Sequence, residues 1–484
     1  MSFEHILQSF AKEALLNVIT STELASKVDE KAEELSKKNP AYLYRKQPSP
    51  VQISFPAGLL TNSASVLHEL GLATTFFTRS PFADIAHHWA NVRYCGTLTA
   101  TRKGMLALSR DGNERVVHHH KTAQSEHLGI GLALIVAKEV LRRTDKGWEF
   151  TAVDADVALK AGSIDGVGPV RQLEATKNRP DYFLIGRRRD GRSQQMKVVV
   201  LECKGTHEKH DRVLRQLAKA CVQLQTVEVG NGVPPGLMIA SSLSPEGITA
   251  HVLDPPGDEN VWSGSQEQLD ELLAEDPGES ILQIREVTSG QAMDVEQRAD
   301  VDRKHALIEH EGLSVIASET SADDDFRGPI EVVHIPEERR TWFMRVLART
   351  AAASALLFAG DKSVATGYTT RRQRGAPSPD ELPYEGLVYD GSASTPHAHH
   401  RLLDTNFTGA EYVMPLPDGR RLEVFRGLET QLYDLLADGK VGPYYRKASS
   451  KHKEWLGRSR RSRGSQNDVL SMQPNGTVLR MRIV

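Results

Sequence analysis

Residues 179–205 read RPDYFLIGRRRDGRSQQMKVVVLECKG, and the fold turns on how this stretch is parsed. Pro180-Asp181 opens a short apolar strand, an arginine-rich polar tip follows, and a second apolar run, Val198 to Leu201, ends in Glu202-Cys203-Lys204. An unbroken apolar run is the pattern of a strand buried on both faces, yet two charged residues end this one with no break before them. Side chains two apart share a face of a strand, so Glu202 and Lys204 project together while Cys203 turns to the other face. Charge at the end of a buried strand is costly unless a partner or a metal compensates it.

The flanks extend this hairpin into a sheet. Before it, Gln124 to Arg143 (QSEHLGIGLALIVAKEVLRR) is helix-like and apolar on nearly all sides, which predicts a buried helix. Gly129 and Gly131 are tolerated in such a helix where backbones pack closely, and Glu126 lies at its start, where a carboxylate also complements the helix dipole. Trp148 to Leu159 reads as a strand, and Lys160 to Asn178, with Gly162, Gly166, Gly168 and Pro169, as a loop. After the hairpin, THEKHDRVLRQLAKACVQLQTV is helical, with Val213, Leu217, Ala220, Cys221 and Leu224 on one face. Val233-Pro234-Pro235-Gly236 breaks the chain, and Leu237 to Ala240 and Ile248 to Leu253 are two further strands. The order helix, strand, strand, strand, helix, strand, strand predicts an α/β fold, a mixed sheet with helices on its faces.

The chain is 484 residues long, enough for about three domains, each with its own core. Residues 111–256 form the expected central domain, preceded by a helical and α+β accessory region over 1–110. In that region Phe3 to roughly Ser36 has apolar residues at three- and four-residue spacing, read as an amphipathic helical hairpin broken at Thr20-Ser21-Thr22. An acidic connecting segment, 257–330, carries a short helix at Gln266 to Ala274. The remainder, 331–484, reads as an α+β accessory domain with a helix from Glu337 to Phe358 and strand candidates at Glu385 to Tyr389 and Arg421 to Phe425. Its segment 446–463 holds eight Lys or Arg against one acid, a pattern of solvated chain or of phosphate binding.

Composition narrows the class. With 39% apolar and 25% charged residues and a formal net charge of −3, the chain reads as a soluble globular protein without a global basic field. Nucleic-acid contact would therefore depend on local basic patches. Cys95, Cys203 and Cys221 show no paired spacing for zinc or disulfides, which favours a reducing cytoplasmic compartment. No signal-peptide core and no run long enough to span a membrane is evident. His87-His88 and His118 to His120 lack a carboxylate or thiol at ligand spacing, so they are set aside as metal ligands.

Pro180-Asp181, followed on the next strand by Glu202-x-Lys204, resembles the PD-(D/E)xK nuclease superfamily, the restriction-endonuclease-like fold, over roughly residues 124–253. The resemblance implies a core of helix, three antiparallel strands, helix and strand, and an acidic residue on the first helix, the place Glu126 holds. One branch of the family also carries a Gln and a Tyr on the helix after the motif; here Gln216 and Gln223 are present and no Tyr follows at that spacing.

The residue types suit phosphodiester hydrolysis on chemical grounds as well. That reaction needs a divalent cation against a phosphate oxygen, an ionised water and compensation of developing charge. Mg²⁺ or Mn²⁺ takes oxygen ligands and keeps several waters, so Asp181 and Glu202 suffice, with the Cys203 backbone carbonyl as a third donor. Lys204 would orient or deprotonate the attacking water, and Glu126 would complete the first metal site or hold a second metal. The bland alternative is a Glu202–Lys204 ion pair beside an unrelated turn Asp. Arg187, Arg188, Arg189 and Arg192 at the hairpin tip either track a phosphate backbone or make a soluble turn.

These readings lead to a metal-dependent nuclease acting on nucleic acid, DNA first, in a restriction or phage-defence role. A homodimer or a place in a defence complex is expected, since double-strand cleavage needs two sites or two visits. The alternative is a catalytically inactive nucleic-acid-binding, regulatory or structural subunit.

Overall fold

The computed structural model describes all residues except 1–2, 39–45, 78–82, 165–167, 170–178, 191–192, 209, 231, 279, 289–290, 293–329, 375–387, 390–391 and 460–467. It is a mixed α/β structure built on an eight-stranded sheet. In chain order the strands of this sheet are β1 (Ala14–Ile19), β2 (Leu59–Thr61), β3 (Glu149–Asp154), β4 (Tyr182–Asp190), β5 (Ser193–Thr206), β6 (Gly236–Ser242), β7 (Thr249–Leu253) and β8 (Val261–Gly264). Their spatial order is β2-β1-β7-β6-β5-β4-β3, with β8 added beside β5.

The organising strand is β5. Its Met196–Leu201 run is rich in β-branched residues and buried throughout. One edge pairs antiparallel with β4; the other pairs parallel with β6 through Val200–Thr206 and antiparallel with β8 through Gln194–Lys197. With both edges paired, the strand has no exposed ladder to template aggregation.

Helices cover both faces, and the alternation along β5 sorts its side chains between two cores. Among the helices, α1 (Phe3–Ala11), α2 (Thr22–Lys38), α3 (Ser63–Ala73), α4 (His118–Thr144), α5 (Ala155–Leu159) and α6 (His210–Gln223) precede β6. Leu128, Leu132 and Val136 of α4 share a core with Tyr182, Leu184, Val199, Leu201 and Cys203. Val213, Leu217 and Cys221 of α6, with Leu24 and Val28 of α2, share the other core with Phe183, Ile185, Val198 and Val200. The predicted order of helix, three strands, helix and two strands is present as α4, β3, β4, β5, α6, β6 and β7.

Two sequence expectations change at the N-terminal side. Trp148 to Leu159 is strand only to Asp154; Asp154 Oδ1 then accepts from the Val157 N–H (2.9 Å) and caps the helical turn α5. The expected helical hairpin of residues 3–36 is helix, strand, helix, because β1 lies between α1 and α2. In β1 the residues Ala14, Leu16 and Val18 are buried, a period of two, and the strand pairs in parallel with β7. The apolar spacing of this stretch fits either period, and the open edge of β7 decides for the strand. Residues 1–110 thus supply β1 and β2 to the central sheet.

The acidic segment is also tied in, through β8 and through α7 (Gln266–Ala274), the expected short helix, which starts with a capping box at Ser265. Ser280–Thr288 and Ile330–Ile335 join Val227–Val229 and Gly162–Ile164 in a smaller sheet. Toward the C-terminus, α8 (Arg340–Phe358) agrees with the predicted helix. A second six-stranded sheet follows, wholly antiparallel, in which β9 (Ser392–Leu402), β10 (Thr405–Pro415), β11 (Arg421–Glu429), β12 (Asp468–Met472) and β13 (Thr477–Ile483) are joined by the short strand Val388–Tyr389. Within the basic segment, residues up to Ser459 belong to the helix α9 (Val441–Ser459), where Trp455 is buried and Arg446 pairs with Asp270 (2.7 Å). No helix among the described residues is long and apolar enough to cross a membrane.

His68 of α3 ties the two large sheets together. Its ring nitrogens bond Ser471 Oγ (3.1 Å) and Thr477 Oγ1 (3.0 Å) of the β12–β13 hairpin, and the ring stacks on Phe358. Burial, with the Lys138 ammonium nearby, pushes its pKa down to about 3. For a depressed base the unfolded chain binds the extra proton, so the stabilisation is complete above about pH 6.5 and lost as pH falls toward 3. At ~1.4 kcal/mol per pH unit, His68 should account for about 2 kcal/mol of stability lost between pH 6.5 and 5. Urea unfolding of wild type and His68→Gln at both pH values should show the smaller pH loss in the variant; parallel losses would remove this assignment.

Candidate active site

The β4–β5 register sets Tyr182 opposite Leu201 and so brings Asp181 beside Glu202. Asp181 is held on several sides. Its carbonyl accepts from the Ala155 N–H (3.1 Å), and the preceding Arg179 pairs with Asp156 (3.3 Å) while its carbonyl accepts from Gln223 Nε2 of α6 (3.2 Å). Pro180 is buried just before the strand begins, where a missing donor leaves no ladder bond unmade.

The three expected catalytic residues form one bonded cluster. Asp181 donates its backbone N–H to Glu202 Oε2 (3.0 Å), Cys203 donates its backbone N–H to Asp181 Oδ2 (2.7 Å), and Lys204 Nζ donates to Glu202 Oε1. Asp181, Glu202 and Lys204 share the face of Phe183, Val198 and Val200, whereas Cys203 packs in the opposite core, as the period of two requires. The Glu202 side chain has 0% exposure and that of Lys204 23%.

Burial sets the electrostatics of this cluster. It raises the Asp181 carboxyl above the ordinary aspartate range, against the Lys204 ammonium, which lowers it. Burial and then the Asp181 charge push Glu202 up to about 8, outweighing Lys204. Burial alone would pull Lys204 down, but the Glu202 and Asp181 carboxylates hold it above the usual lysine value. Two carboxyl groups thus compete for one ammonium, and the cluster is short of positive charge.

Other expected site residues are placed differently. The helix begins at His118, six residues before the expected start, so Glu126 is exposed in the third turn of α4, and α4 packs on the face opposite to that of Glu202 and Lys204. Among the described residues no group of three or more His, Cys, Asp or Glu side chains is arranged to hold a metal ion, and Glu126 is not brought together with Asp181 and Glu202. Cys203 meets the cluster through its backbone N–H, where its carbonyl was the expected donor. At the hairpin, Arg187 lies over the Tyr445 ring (3.4 Å) and bonds Thr151 Oγ1 (3.4 Å), while Arg188 bonds Gln195 Oε1 (2.7 Å) and lies over Trp148 (5.2 Å). Both are turned onto their own chain. The side chain of Arg189 and the whole of Arg192 lie outside the described residues.

Further acids sit at this end of the sheet. Burial, with Asp156 and Asp181 adding, pushes Asp154 up to about 6. The signal for them is Asp154-Ala-Asp156 at the end of a predicted strand, legible only once β3 is known to pair with β4. Gln216, noted on the helix after the motif, donates its Nε2 to the Gly205 carbonyl (3.2 Å) and clips α6 to the end of β5. No family model, curated protein or solved structure matches this chain.

Proposed function

We propose that this protein is a Mg²⁺- or Mn²⁺-dependent phosphodiesterase, a nuclease acting on DNA, and that its central sheet is a restriction-endonuclease-like core. The observation that carries the reading is the direct bonding of Asp181, Glu202 and Lys204 on one face at a strand end. The helix, three-strand, helix and strand order around them supports it.

The donor set suits a hard divalent cation. Asp181 and Glu202 offer carboxylate oxygens, Mg²⁺ keeps waters for its remaining positions, and the shortage of positive charge is one that a cation would relieve. When bound, such an ion supplies Lewis-acid polarisation of the phosphate and acidifies a water. Asp181 and Glu202 would hold it. The carboxylates keep Lys204 protonated, so its Nζ acts as a hydrogen-bond donor that orients the water or steadies the phosphate, in preference to a base. The β4–β5 ladder and the Gln223 and Asp156 contacts to Arg179 keep Asp181 in register with Glu202. A cytoplasmic restriction or phage-defence nuclease, working as a dimer or within a larger complex, is the biological setting this chemistry suits.

The internal closure of Glu202 favours one second reading, a nucleic-acid-binding or regulatory subunit without catalysis. The two separate on metal dependence. Supercoiled plasmid DNA and single-stranded RNA incubated with Mg²⁺ or Mn²⁺ should give metal-dependent cleavage of the DNA that EDTA stops. Salt-sensitive binding with no turnover under any metal would favour the second reading.

A further inference from the structure

Glu202 is the most enclosed member of the cluster, and both of its oxygens are engaged. Oε2 accepts from the Asp181 N–H (3.0 Å) and Oε1 from Lys204 Nζ. One Asp181 oxygen is engaged as well, by the Cys203 N–H (2.7 Å). The two donors are backbone groups: Asp181 directly precedes the last β4–β5 pair, Tyr182–Leu201, and its carbonyl is held by the Ala155 N–H, while Cys203 lies where β5 pairs with β6, so neither can withdraw without disturbing the sheet. Lys204 is different: its ammonium rides on a flexible stem, and 23% of the side chain reaches solvent, so it can change partners while the sheet stays intact.

A phosphodiester arriving at the strand end competes with Glu202 for that ammonium. We propose that Lys204 is an exchangeable counter-ion, which closes Glu202 in the resting arrangement and transfers to a phosphate of the bound nucleic acid, releasing Glu202 Oε1 for the divalent cation. This rests on the nuclease reading above and adds a rule of loading: metal and nucleic acid bind with positive coupling, each strengthening the other by the same factor. An exposed Lys–Glu pair would give little coupling, because water screens it; the full burial of Glu202 makes the exchange count. The same closure would keep a bare nuclease site from collecting metal when no substrate is present.

The test is a Mn²⁺ titration of the full chain at fixed pH and ionic strength, with free Mn²⁺ followed by electron paramagnetic resonance, in the absence and presence of a short phosphorothioate DNA duplex. Mn²⁺ affinity of the wild type should rise by about tenfold or more with the duplex, within the usual range of coupling between sites. Lys204→Gln should bind Mn²⁺ without duplex about as tightly as wild type does with it, and Lys204→Arg should retain the coupling. Equal Mn²⁺ affinity with and without bound duplex in the wild type overturns the exchange and leaves the nuclease reading standing. No Mn²⁺ binding in either condition overturns both. The duplex alone is titrated in parallel, because its own phosphates bind Mn²⁺, and an equal rise with duplex in a folded Lys204→Gln or Lys204→Met variant also overturns the exchange.

Discussion

Glu202→Gln is expected to lower metal-dependent cleavage by about a thousandfold, in line with removal of a charge-stabilising group from a preorganised site, while making the stability of the protein less dependent on pH. The two effects have one cause. Burial and the Asp181 charge push the Glu202 carboxyl up to about 8, so ionising it in the folded state is unfavourable. For an acid with a raised folded pKa, the stabilisation is complete below the unfolded value of 4.5 and lost as pH rises through about 8. Glutamine removes the titration, although its NH₂ must face one of the two donors that the Glu202 oxygens accept from, the Asp181 N–H or Lys204 Nζ. Wild type should therefore lose stability relative to Glu202→Gln between pH 5 and 9, as read from urea unfolding midpoints. A functional carboxylate held at the expense of stability is a recurrent trade in active sites. A variant with full cleavage, or one whose stability falls with pH as steeply as that of the wild type between pH 5 and 9, would contradict this.

The second large effect is structural. A Cβ on Gly205 would fall 1.9 Å from the Ser125 carbonyl oxygen and 2.7 Å from its carbon, and both are backbone atoms of α4. Gly129 faces this contact from the helix, where a Cβ would lie 2.9 Å from the Gly205 nitrogen. Neither helix nor strand can give way without moving the end of β5 that carries Glu202 and Lys204. Gly205→Ala should therefore destabilise by about 3 kcal/mol or more, at the upper end of overpacking effects. Gly104 offers the comparison, since it has a positive φ of 77° and nothing within 4 Å of the added Cβ. Gly104→Ala should cost about 1 kcal/mol from backbone strain alone. A Gly205→Ala midpoint no lower than that of Gly104→Ala would show that the helix and strand are not in contact here.

The central hairpin was legible because strand periodicity is short-ranged. An apolar run closed by Glu202-x-Lys204 fixes which side chains share a face, and Asp181 joins them through the neighbouring strand. Three features were not legible, each because it depends on packing between distant segments. The apolar residues of 14–19 fit a helix or a strand, and the choice lies with β7, more than two hundred residues along the chain. The side of the sheet that α4 covers cannot be read from α4, yet it removes Glu126 from the cluster. Arg187 and Arg188 look like free cations in sequence, but Tyr445 and Trp148 supply aromatic faces for them. Asp154 and Asp156 become neighbours of Asp181 only through the β3–β4 pairing.

The most direct measurement is cleavage of supercoiled plasmid DNA in Mg²⁺ by wild type, Asp181→Ala and Lys204→Ala, with the fold of each confirmed by circular dichroism. Nicking or linearisation is expected from the wild type and none from either variant. Equal cleavage by all three, or none by a folded wild type with either Mg²⁺ or Mn²⁺, would contradict it.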